Sequence, residues 1–153
     1  MVKNMGKYIL CGGYLKFALI FLLVSVVITG CIGPSVESVE LEYTIKVEEK
    51  PEEIPDDLQK WKRDEYMWVV VEFEVKEGTL DMQDVWFRSR IETSERFYDL
   101  DHTTDKLKNG IQSRGMIKSG GEGIALYQIP VNEDSYSWNL EKMRQDVKAI
   151  KKG

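Results

Sequence analysis

From Val39 onward apolar and polar residues alternate strictly, with Val39, Leu41, Tyr43, Ile45 and Val47 separated by Glu40, Glu42, Thr44 and Lys46. A period of two built from β-branched and aromatic residues predicts a strand with one buried face. Tyr66 to Lys76 (YMWVVVEFEVK) is the strongest such run. Met67, Val69, Val71, Phe73 and Val75 share a face, and Trp68 and Val70 carry the apolar character to the other face at its start. Between the two lies a charged connection, Glu48 to Glu65, with two prolines and one helical turn expected around Leu58 and Trp61. Shorter alternations follow. Val85 to Thr93 sets Val85, Phe87, Ser89 and Ile91 against Trp86, Arg88, Arg90 and Glu92. Ser94-Glu95 reads as a hairpin turn into Arg96 to Leu100. Ile111 to Lys118 precedes a Gly120-Gly121 turn. Gly123 to Ile129 stops at Pro130, which lacks a backbone donor and suits a strand end. Tyr136 to Leu140 and Asp146 to Ile150 complete the series. Seven or eight short strands, with no long helical period, predict an all-β fold over residues 37–153: an antiparallel β-sandwich of immunoglobulin type.

The N-terminal thirty residues follow another rule. Phe17 to Ile28 (FALIFLLVSVVI) is apolar but for one Ser, and Lys3, Lys7 and Lys16 precede it with no acid in the segment. A basic region, an apolar stretch of about 7–15 residues and small residues at a cut describe a secretory signal peptide. The alternative is an uncleaved signal anchor, an N-terminal hydrophobic helix. Twelve strongly apolar residues are short for the roughly 20 that span a bilayer, and extension back to Tyr8 takes in Lys16, Gly12 and Gly13. Either way the lysines stay cytoplasmic and the remainder lies outside.

The block Ile28-Thr29-Gly30-Cys31 resembles the lipobox of prokaryotic lipoproteins, bacterial and in particular archaeal. In that family the chain is cut before the Cys, which then carries the lipid. The resemblance covers residues 1–31 and implies a signal segment over 1–30, lipidation at Cys31 and a Gly/Pro/Ser tether over 31–36. A two-chain anchor of this kind holds firmly where a single acyl chain does not.

Charge sharpens the division. The chain has 21 basic and 26 acidic residues, and removing the three leader lysines leaves 18 against 26. An acidic exported domain argues against a nucleic-acid partner, whose phosphates need Lys and Arg. Of the two cysteines, Cys11 lies in the leader and Cys31 is the lipidation candidate, so the domain holds neither a disulfide nor a thiolate nucleophile. One His and two Cys also fall short of a structural zinc site.

Three segments could carry chemistry. Asp99, Asp101, His102 and Asp105 lie in one stretch (DLDHTTD) and offer an oxygen-rich cation loop. The spacing lacks the Gly and terminal Glu of a calcium loop, and Asp and Thr also cap turns, so a solvated turn is expected instead. The acidic run Glu48, Glu49, Glu52, Glu53, Asp56 and Asp57 reads as a solvated loop. On a strand, Trp86, Arg88 and Arg90 would face away from Val85, Phe87 and Ile91 and form a partner-binding row, Trp and Arg being enriched at binding hot spots. The competing reading packs Trp86 inward and pairs the arginines with neighbouring acids.

YMWVVVEFEVKEG, the Gly turn SGGEG, and GIALYQIP ahead of YSWNL together resemble a family of extracytoplasmic immunoglobulin-like lipoprotein domains of unknown function. That family is related to a secreted mycobacterial immunoprotective antigen. The resemblance spans residues 37–150; Ser119-Gly120 stands for the family's Pro-Gly, and Ile129-Pro130 for its Val-Pro. It implies the fold and transfers no catalytic residue. The expectation is a non-enzymatic binding or interaction module without a cofactor. It would be held at the cell membrane by lipid or helix, on the extracytoplasmic face, with a protein or cell-envelope partner. The alternative is a ligand- or ion-binding accessory subunit of a membrane complex.

Overall fold

The structure, a computed structural model, describes residues 38–153. The signal segment or hydrophobic helix of 1–30, Cys31 and the tether of 31–36 lie outside the described residues. Among the described residues no helix is long and apolar enough to cross a membrane.

Nine strands are described: β1 (Val39–Glu48), β2 (Tyr66–Glu77), β3 (Thr79–Asp81), β4 (Arg90–Glu92), β5 (Phe97–Asp99), β6 (Met116–Lys118), β7 (Glu122–Pro130), β8 (Ser137–Asn139) and β9 (Val147–Lys151). The main sheet has the order β7-β2-β1-β9, and smaller sheets pair β3 with β6 and β5-β4-β8. β1 meets β2 in antiparallel register with Tyr43 opposite Phe73, and β2 meets β7 with Val71 opposite Ala125. β9 runs parallel to β1, Val39 opposite Val147, which departs from the wholly antiparallel arrangement expected.

Alternation builds the principal core. Val39, Leu41 and Tyr43, then Val69, Val71, Phe73 and Val75, then Ala125, Tyr127 and Ile129 point to one side and meet Leu80, Val85, Ile91, Ile111 and Trp138. The other face carries a second cluster of Trp68, Val70 and Leu126, capped by Ile54, Leu58 and Leu107. Here the long connection folds over the sheet through a single helical turn, α1 (Asp56–Gln59), which buries Leu58. The extra apolar residues at the start of β2 therefore have a cover.

One predicted strand is corrected. Met82–Arg88 is a helix, α2, and only Arg90–Glu92 of the Val85–Thr93 alternation is extended. Asp81 caps the helix by accepting from the Gln83 backbone N–H at 2.9 Å. Asp84 and Arg88 then pair at 2.8 Å across one turn. Helical spacing turns Val85 and Ser89 inward together, and Phe87, expected inside, stands 64% exposed.

Candidate functional site

The helix dissolves the Trp86, Arg88, Arg90 row. Trp86 is half-buried against the principal core. Arg88 pairs with Asp84 and donates to the Lys142 carbonyl at 3.1 Å, and Arg90 pairs with Asp99 at 2.8 Å. These side chains share no strand face, because a 3.6-residue period separates what a two-residue period would align.

The Asp99–Asp105 segment is likewise divided. Asp99 faces Arg90. Asp101 caps a 3-10 helix (His102–Lys106): one carboxylate oxygen accepts from the Thr103 N–H at 2.9 Å and its hydroxyl at 2.7 Å, and the other from Gln128 Nε2 at 2.6 Å. Its acceptors are thus engaged in holding the turn. His102 and Asp105 are exposed. Among the described residues no three His, Cys, Asp or Glu side chains converge as a metal site would require.

What the structure does assemble lies at the end of the main sheet where Glu48, Trp68 and Gln128 stand in register. Gln128 on β7 fastens two loops. Its Nε2 donates to the Trp61 carbonyl at 3.2 Å as well as to Asp101, and its Oε1 accepts from the Arg63 N–H at 2.8 Å. The loop after α1 and the 3-10 helix are thereby locked side by side, and their outer side chains meet. The His102 ring sits edge-on to Trp61 with centroids 6.1 Å apart, and the Lys106 ammonium lies 5.0 Å from the Trp61 ring centre. Two residues along the same loop from Trp61, the Arg63 guanidinium lies 5.5 Å over the Tyr66 ring. Each such cation–ring contact is worth about 0.5–1 kcal/mol at an exposed position. Among the described residues neither Lys106 nor Arg63 has a carboxylate within ion-pair distance, whereas Lys46, Lys76, Arg88, Arg90 and Lys152 all do.

The same end continues through Val131, whose N–H bonds to the Glu65 carbonyl, to a second set of side chains. The Tyr98 hydroxyl donates to Glu133 at 2.5 Å, and Arg96 lies 3.8 Å from that carboxylate. Burial, then the bond to Glu133, pushes the Tyr98 phenol up to about 12. The Thr93 and Tyr98 hydroxyls hold the Glu133 carboxyl below its usual range. Trp61 and Val131 on the loops and Phe97 at the start of β5 are about half-exposed apolar side chains.

A contrasting feature occupies the open face nearer the other end. There a shallow depression of about 340 Å³ is lined by Glu42, Glu72, Glu74, Glu122, Asn109 and Lys152 among others. Glu42, Glu74 and Glu122 stand side by side on β1, β2 and β7. Lys76 contacts both Glu42 and Glu74, and Lys152 reaches Glu42 at 2.8 Å. Those bonds, Lys152 first, hold the Glu42 carboxyl below its usual range. Lysines already neutralise most of this face.

Comparison with protein-family models, curated proteins and solved structures finds no match to this chain.

Proposed function

We propose that this chain is a membrane-anchored, extracytoplasmic, non-enzymatic binding module on an immunoglobulin-like β-sandwich. The observation that carries the reading is the aromatic and basic end of the main sheet around Trp61. Loops on a rigid sheet are where binding residues concentrate, and Trp, Tyr and Arg are the side chains that dominate interface energetics. Glu48, beside this end, lies nine strand residues from Val39, where the chain enters the domain, or about 30 Å at roughly 3.3 Å per residue.

The anchor rests on the basic leader, the apolar run and Cys31. Cys31→Ala should leave an unprocessed precursor without lipid, read by intact mass and membrane fractionation. An unchanged mass and processing pattern would reject the lipid anchor. The alternative, an ion- or ligand-binding accessory subunit, is favoured by the glutamate-lined depression. The lysines across it weigh against a cation there, since a bound cation would have to displace them.

A further inference from the structure

We infer that the Trp61, Lys106, Arg63 surface docks an acidic segment of a partner protein, its carboxylates meeting Lys106 and Arg63 and an apolar side chain resting on the Trp61 indole. The inference rests on the binding-module reading and names its partner class. Charge complementarity is the first argument. The exported part of the chain is acidic, and Lys46, Lys76, Lys148 and Lys152 on or next to its main sheet are spent on carboxylates. Lys106 and Arg63 instead lie over aromatic rings, where the cation keeps its charge and its donors for an incoming anion.

Preorganisation is the second. Trp61 is 48% exposed, yet its loop is pinned from beneath by Gln128 and preceded by Leu58, which α1 buries in the second cluster. The 3-10 helix presenting His102 and Lys106 is capped by Asp101. A partner would therefore order little of this surface on binding, and less ordering cost leaves more net affinity. Composition is the third: an exposed Trp with Arg, Tyr and His around it matches protein interfaces.

The test uses the full chain in detergent micelles and acrylamide quenching of tryptophan fluorescence. All four tryptophans lie among the described residues; Trp68 and Trp138 are buried and Trp86 half-buried, so Trp61 dominates the quenchable emission. The probes are a synthetic peptide of glutamates around a central leucine, its glutamine version, dextran sulfate, and phosphatidylglycerol vesicles. The glutamate peptide should shield Trp61 and the glutamine version should not. Lys106→Glu and Arg63→Glu should each weaken binding at least about tenfold. Arg114→Glu, at an exposed cation on another loop, should leave it unchanged. Near-ultraviolet circular dichroism confirms that each variant folds. Binding indifferent to Lys106→Glu would overturn the inference. Shielding by dextran sulfate or vesicles as strong as by the peptide would reject a protein segment while sparing the binding-module reading. No shielding by any probe would overturn both at this surface.

Discussion

Trp138, Tyr127 and Ser89 form a directed chain of hydrogen bonds inside the principal core. The Trp138 Nε1–H donates to the Tyr127 hydroxyl at 2.7 Å, and the Ser89 hydroxyl donates to the Val85 carbonyl at 2.6 Å. The Tyr127 proton is thus left to donate to Ser89 Oγ, 2.6 Å away. Burial pushes the Tyr127 phenol up, so it stays neutral. Every polar atom in this apolar setting has a partner, which a buried network needs in order not to destabilise the fold. Tyr127→Phe should strand the Trp138 N–H and cost about 1–3 kcal/mol, measured by urea unfolding. An unchanged midpoint would show the hydroxyl to be dispensable. Asp84 plays a comparable part between elements. Its side chain, 2% exposed, accepts from the Arg144 and Gln145 backbone N–H groups at 2.5 and 3.3 Å, stapling α2 to the segment that leads into β9. Its other oxygen faces Arg88 as an ion pair without good donor alignment. Neither Tyr127 nor Asp84 was marked as a partner by sequence, since each bonds to residues far along the chain.

At the level of elements, β2 explains most of the architecture. One face, Val69 to Val75, belongs to the principal core, and Trp68 and Val70 belong to the second. A strand apolar on both faces needs covers on both sides, and the connection 49–64 supplies one of them. Gly123 shows how tightly the first layer packs: a Cβ there would meet the Phe73 ring at 2.3 Å, so the ring occupies the space a side chain would take. Leu58→Ala should remove the anchor of the second cover and destabilise the domain by about 2–5 kcal/mol. It should also loosen the loop that carries Trp61, seen as a blue-shift lost or acrylamide quenching raised. A full-sized stability loss with Trp61 quenching unchanged would separate the cover from the binding surface. The free edge of β9 carries Lys148 and Lys151, charges that discourage pairing with a second sheet. Legibility at this scale followed length. The alternations of β1, β2 and β7 run 9 to 12 residues and were readable, whereas that of Val85–Arg88 was too short to separate a strand from a capped helix. The usable signal was Asp81 three residues before Asp84, a cap-like pattern at a helix start.

Across the whole molecule, carboxylate–ammonium pairs set how stability depends on pH. Glu42, bonded by Lys152 and Lys76, and Glu133, bonded by Thr93 and Tyr98, have folded values below their usual one. A depressed carboxylate contributes stability that is present above its unfolded value and lost as pH falls through the folded one. Lys46, Lys76 and Lys148 are shifted upward by their glutamate partners, so their contribution is present below the unfolded value of 10.5 and lost as pH rises above it. The melting temperature should therefore be flat between about pH 5 and 10 and fall on either side. Glu42→Gln should flatten the acid limb in thermal melts across pH. An acid limb identical to that of the unaltered chain would remove Glu42 from the account.

The sequence by itself determined the long strands, the single helical turn at Leu58, the turns at Ser94 and Gly120, and the contrast between a basic, apolar N-terminal segment and an acidic remainder. These are local properties, carried by a period of two, by turn residues and by charge counts. Only the tertiary structure decided that β9 pairs parallel with β1, that Val85–Arg88 coils, and that Trp61, His102 and Lys106 come together. Two loops some forty residues apart meet there because Gln128, on a third element, bonds to both. Such proximity is set by sheet register and by one amide with donors and an acceptor facing opposite ways, and no periodicity in a chain encodes it.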